Sequence, residues 1–142
     1  MIIGVYLRLS DDDNDITDFK QESNSISAQR NLINSYISNS HELCGSIVKE
    51  FCDDGYTGVN FKRPSVQKLF DEVRKGTVQC VIVKDLSRFG RNHIEVGDYL
   101  EQIFPLLNVR FIAINDNYDS INNGNVLKCL TISTDNIKKE RR

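Results

Sequence analysis

Arg8, Arg63, Arg88, Arg91 and Ser10 are the residues of this chain whose types suit chemistry on a phosphate. Guanidinium groups hold phosphate oxygens bidentately and neutralise developing charge, and a serine hydroxyl among them could attack a phosphodiester. Arg8 and Ser10 belong to the segment Tyr6-Leu7-Arg8-Leu9-Ser10, and Arg88 and Arg91 to Lys84-Asp85-Leu86-Ser87-Arg88-Phe89-Gly90-Arg91. Arg8 stands two residues before Ser10, on the same side of an extended strand, and must either pair with an acid or face an anion. Arg88 and Arg91 are three apart around Gly90, so a tight turn lets both project toward one anion. Phe89 between them is expected to pack inward. Arg63, in a glycine-containing segment, reads from its surroundings alone as a solvated charge.

Other chemistries find less support. Asp11 to Asp13 and the pair Asp53-Asp54 are residue types that magnesium prefers, but adjacent carboxylates on an irregular run seldom converge, and both read as solvated loops. His41 and His93 lack a Cys or His partner at zinc spacing. No Gly-Lys-Ser/Thr phosphate loop and no G-x-G-x-x-G after the first strand is present, so neither ATP nor a dinucleotide cofactor is supported.

The elements that must position these residues alternate between strand and helix. Ile2 to Leu9 reads as a first strand, followed by a polar loop over Asp11 to Asn24. Ser25 caps a helix whose apolar face is Ile26, Leu32, Ile33, Tyr36 and Ile37. A second strand spans Ser46 to Cys52, and Asp53 to Arg63 reads as a loop. Pro64 opens a helix with Val66, Leu69, Phe70 and Val73 at helical spacing, ended by Gly76. Val78 to Val83 is a β-branched run suited to a buried parallel strand. Val96, Leu100, Ile103, Phe104 and Leu107 form the stripe of a further helix, and Val109 to Ile114 is another buried strand. Asn115 to Asn125 reads as a polar loop, and the chain is weakly helical from Val126. This alternation predicts an α/β domain with a mostly parallel sheet covered by helices on both faces. Strand ends of such sheets are where their chemistry sits.

Composition sets the outer bounds. With 142 residues, 39% of them hydrophobic, the chain suits one core. No apolar run is long enough to span a bilayer, and the first is broken by Arg8 and then acids, unlike a signal peptide, so a cytoplasmic location is expected. Cys44, Cys52, Cys80 and Cys129 show no C-x-x-C pairing and read as reduced structural thiols. A formal charge of −2 argues against strong duplex binding by this chain alone. Its basic end, Lys138 to Arg142, stops in mid-pattern, so further sequence is expected beyond it.

Four segments taken together resemble the catalytic domain of serine site-specific recombinases, in the order and spacing of the large transposon-type branch. They are Tyr6 to Ser10, Ser25-Ile26-Ser27-Ala28-Gln29, Asp54-Gly55-Tyr56-Thr57-Gly58 with Arg63-Pro64, and Lys84 to Asn92. The resemblance implies a resolvase-like three-layer fold over 1–124 and the start of a long linker or oligomerisation helix over 125–142. It implies a DNA-cleaving and rejoining enzyme that needs no cofactor or metal. Ser10 would attack the scissile phosphate and become joined to the DNA 5′ end, with Arg8, Arg88 and Arg91 around the phosphate. Arg63 and Gln29 would assist, and Thr57 and Ser87 would make polar contacts near it. The implied partners are DNA recombination sites and further copies of the chain, a dimer that forms a tetramer at synapsis, with no membrane. The sequence departs from the pattern at 130–136, Leu-Thr-Ile-Ser-Thr-Asp-Asn, where an arginine is expected near Thr134, so the final helix reads as truncated or degenerate. Two rivals stay open on the residues alone: a non-catalytic DNA-binding or oligomerisation module of the same fold, and a metal-dependent phosphohydrolase using Asp11 to Asp13.

Overall fold

The computed structural model describes residues 1–9, 25–55 and 61–123. Among them lie the strands β1 (Ile2–Leu9), β2 (Ile47–Asp54), β3 (Cys80–Val83), β4 (Arg110–Ala113) and β5 (Tyr118–Asp119). They form one sheet in the order β2-β1-β3-β4-β5. β1 pairs parallel with β2 and β3, and β3 parallel with β4, while β5 runs antiparallel to β4. The predicted mostly parallel α/β sheet is therefore present.

The helices form where the sequence places their caps and apolar faces. In α1 (Ile26–Ser38) the Ser25 hydroxyl accepts from the Ala28 amide at 3.1 Å, and Ile33 and Ile37 are buried. In α2 (Pro64–Arg74) proline occupies the first turn, and Val66, Leu69, Phe70 and Val73 face the sheet. After the short α3 (Leu86–Phe89), α4 (His93–Asp98) runs through a π-type stretch, Tyr99–Ile103, into α5 (Phe104–Leu106). There the Phe104 amide reaches back to the Tyr99 carbonyl, just before Pro105, which has no amide hydrogen to give. A last turn, α6 (Ser120–Asn123), follows β5.

Strand alternation divides the core in two. Ile3, Val5 and Leu7 pack with α1 residues Ile33 and Ile37 on one face. On the other, Tyr6 joins the buried residues of α2 and the 93–106 helix, where Phe61, Phe70, Phe89, Phe104 and Phe111 form an aromatic cluster. Helices thus cover both faces. Moving from β1 to β2 on one side and to β3 on the other makes the β1/β3 boundary the topological switch point, where open sheets of this kind bind ligands.

Several readings differ from the sequence expectation: β3 begins at Cys80 rather than Val78, and β4 spans Arg110–Ala113 rather than Val109 to Ile114. β2 extends through Asp53 and Asp54 because Asp53 is buried and finds polar partners across the sheet, so it is no solvated loop residue. The stretch expected as a polar loop from Asn115 holds a 3₁₀ turn (Ile114–Asp116), β5 and α6. Arg110 organises it, donating to Asp119 from Nε at 3.0 Å and Nη2 at 2.7 Å, and to Glu42 at 2.8 Å. Leu107 lies exposed rather than on the buried stripe. Ser10, Thr57, the Asp11 to Asp13 run, Cys129 and the helix expected over 125–142 lie outside the described residues. Among the described residues no helix is long and apolar enough to cross a membrane, and no group of three His, Cys, Asp or Glu side chains assembles.

Cys44, Cys52 and Cys80 are free thiols, and burial in β3 pushes the Cys80 thiol up to about 12. The unfolded chain therefore releases that proton first, so this contribution to stability is complete below about pH 9 and is lost as pH rises toward 12. Urea titrations of wild type and Cys80→Ala are expected to show wild type losing stability relative to the variant across that window.

Gly4 lets α2 approach β1 closely. A Cβ there would stand 2.7 Å from Leu69 Cδ1 and 3.1 Å from Val78 Cγ1. Gly4→Ala is expected to cost about 1–3 kcal/mol in urea unfolding, through overpacking rather than backbone strain.

Candidate active site

Arg8 lies beyond the point where β3 stops pairing with β1, since the β1/β3 register ends at Val5 and Ile82. The Ile2 carbonyl accepts from Gln79 next to β3, and the Leu9 carbonyl from Gly55 after β2, so even-numbered residues of β1 direct their peptide groups toward β3. At Arg8 those groups need another partner. The buried Gln29 amide of α1 supplies it, donating from Nε2 to the Arg8 carbonyl at 2.8 Å and accepting from the Arg8 amide at 3.2 Å. A side chain thus replaces a strand.

The Arg8 side chain is itself fully buried, at 0% exposure. Its Nε donates to the Arg88 carbonyl at 3.1 Å and its Nη2 to the Ser87 carbonyl at 2.7 Å. Arg88 returns the contact, donating from Nη1 to the Arg8 carbonyl at 3.1 Å. Each arginine therefore fixes the other's backbone. Asp85 caps α3 by accepting from the Arg88 amide at 3.0 Å and the Ser87 hydroxyl at 2.8 Å, and its carboxylate lies 3.8 Å from Arg88 Nε.

Arg63 is not the solvated charge its neighbours in sequence suggest. It precedes α2 and is 2% exposed, with its guanidinium over the rings of Tyr6 and Phe61 at 5.6 and 5.3 Å. It donates to the Phe89 carbonyl at 2.7 Å, the Arg88 carbonyl at 3.4 Å and the Tyr6 hydroxyl at 2.9 Å. Tyr6 in turn donates to Asp53 at 2.7 Å. Phe89 anchors the turn from below, its ring 5.0 Å from Phe61 and 4.9 Å from Phe111. Arg91 stands exposed at the rim of a cavity of about 500 Å³, which Ser87, Leu86, Val96 and Asp116 help to line.

Arg8, Gln29, Arg63, Ser87 and Arg88 are thus brought together at the switch point, with Arg91 at its edge. Burial first, and then the neighbouring charges of Arg88, Arg63 and Arg91, lower the Arg8 pKa to about 10. Sequence reasoning missed Tyr6 and Asp53 as members of the site. Tyr6 shares the Arg8 face of β1 by simple alternation, a usable signal, whereas the contacts of Asp53 are tertiary.

Guanidinium groups thus converge at the switch point of an α/β sheet, where open sheets of this kind place their ligands. The family model described as "Resolvase, N terminal domain" matches residues 3–134, and the chain belongs to that family. It is thereby a site-specific recombinase domain in the general sense. Solved structures share the fold. The N-terminal catalytic domain of TP901-1 integrase is 21% identical with a TM-score of 0.72, over 99% of this chain and 98% of that one. A resolvase family site-specific recombinase from Streptococcus pneumoniae is 23% identical with a TM-score of 0.67, over 99% and 89%. The C-terminal catalytic domain of ISC1926 TnpA, an IS607-like serine recombinase, is 23% identical with a TM-score of 0.59, over 80% and 69%. No curated protein sequence matches the chain significantly.

Gln29→Leu keeps the side chain's size but leaves the Arg8 amide and one bond to its carbonyl unmatched. It is expected to cost about 1–3 kcal/mol in chemical denaturation, with faster amide exchange at Arg8 than in the middle of α2.

Proposed function

We propose that this chain is the catalytic domain of a site-specific DNA recombinase acting by covalent serine catalysis. Ser10 Oγ attacks the scissile phosphorus and gives up its proton. The bond from phosphorus to the 3′ oxygen breaks, and that oxygen leaves as a 3′ hydroxyl after taking up a proton. A 5′-phosphoserine ester remains. Attack by the 3′ hydroxyl of an exchanged strand reverses the step and frees Ser10, so the phosphodiester is conserved without an external energy source. Arg8, Arg88 and Arg91 neutralise the charge that develops on the phosphate, the role a metal ion takes in many phosphoryl-transfer sites. Gln29 holds the strand that leads to Ser10, Arg63 supports the arginine-bearing turn, and Thr57 and Ser87 offer polar contacts near the phosphate. The substrate is a pair of DNA recombination sites in the cytoplasm, joined by a dimer that becomes a tetramer at synapsis.

The observation that carries this is the reciprocal Arg8–Arg88 exchange at the end of β1, two residues before Ser10 in the chain. It explains why cationic groups gather where the strand ends, in a place suited to an anion. Suicide DNA substrates made from the sequence flanking the coding region provide the test. After incubation and a denaturing gel, the full-length protein is expected to form a covalent protein–DNA adduct. Ser10→Ala should abolish the adduct, and EDTA should leave it unchanged. Sequence-specific DNA binding with no adduct under synapsis would instead indicate a non-catalytic module, and cleavage requiring magnesium a phosphohydrolase.

A further inference from the structure

Asp53 and Arg63 are buried opposite charges that do not meet directly: between them stands the Tyr6 hydroxyl, which donates to Asp53 Oδ2 at 2.7 Å and accepts from Arg63 Nη1 at 2.9 Å. The direction of this relay is fixed. Arg63 has only donors, so the single tyrosine proton must go to the carboxylate. The carboxylate is held on its other side as well, since Oδ1 accepts from the Ser65 amide at 2.9 Å and Oδ2 from the Val66 amide at 3.1 Å, at the start of α2. On the far side of the relay, Arg63 rests on the Arg88 and Phe89 carbonyls. Removing the hydroxyl would take away the spacer and leave a buried carboxylate and a buried guanidinium drawn to each other. Following that attraction would draw Arg63 Nη1 off the Arg88 carbonyl and strain the Nη2 bond to Phe89.

We infer that Tyr6 and Asp53 are positioning residues, the Tyr6 hydroxyl keeping Arg63 one hydrogen bond away from Asp53 so that Arg63 stays on the turn that presents Arg88 and Arg91. As a role in catalysis this rests on the proposed function; as a statement about the turn it stands alone. Tyr6 bonds Arg63, and Asp53 bonds Tyr6 and the start of α2. Both act through Arg63, and the effect is read at Arg88 and Gly90, whose amides close α3.

Hydrogen exchange on the full chain separates positioning from simple stability. In Tyr6→Phe, exchange at the Arg88 and Gly90 amides is expected to accelerate about tenfold more than at Leu69 in α2. Adding Asp53→Asn to Tyr6→Phe removes the attracting charge, so protection of the turn should return toward wild type even though the variant is no more stable overall. Equal acceleration in the turn and in α2, or no recovery in the double variant, overturns the inference. In the adduct assay, Tyr6→Phe should slow cleavage by about tenfold with DNA affinity within about twofold. Its effect should not multiply with that of Arg63→Ala, as expected for residues acting in one line. Wild type without an adduct would defeat the proposed function and leave the exchange experiment to decide the relay. An adduct formed at the wild-type rate by Tyr6→Phe defeats the catalytic role of the relay alone.

Discussion

The site depends on one constraint: the carbonyls of Ser87, Arg88 and Phe89, at the end of a one-turn helix, must find donors in the interior. Arg8 and Arg63 provide them, and in doing so carry two cations into places where they are almost entirely shielded from water. Burying guanidinium groups without such acceptors would cost several kcal/mol each. The turn and the arginines are therefore conditions of each other. β1 contributes Arg8, the entrance to α2 contributes Arg63, and the sheet order brings both beside the segment that follows β3.

A second level of organisation holds this arrangement from outside. Gln29 replaces the missing strand at Arg8, Asp85 caps α3, and Phe89 ties the turn to the aromatic cluster between α2 and the 93–106 helix. Contacts on both faces of the sheet thus meet at one turn. Arg8, Arg63 and Arg88 are gathered in the interior, with Arg91 exposed at the open edge.

Much of this was legible in the sequence. β-Branched runs, a serine cap and a proline at the first turn of α2 located the elements, because those signals are local. Arg8, Arg88 and Arg91 were legible from their places after strand-like runs. The burial of Arg63 was not, since its acceptors are carbonyls 25 and 26 residues away. Asp53 read as a loop acid for the same reason: its partners Tyr6 and Ser65 come from two other elements. β5 has only two residues, too few to show a period, and is held by the Arg110–Asp119 pair.

The mutual exchange between Arg8 and Arg88 also bears on how this chain would drift over generations. A copy released from selection for DNA exchange, but still required to fold, would keep Arg8, Arg63 and Arg88, because each donates to backbone carbonyls in the interior. Their presence in a descendant records foldedness. Arg91, exposed at the rim, carries no comparable duty to the interior, so among the four arginines its retention or loss is the mark that distinguishes a lineage still under selection for chemistry from one preserved only as a shape.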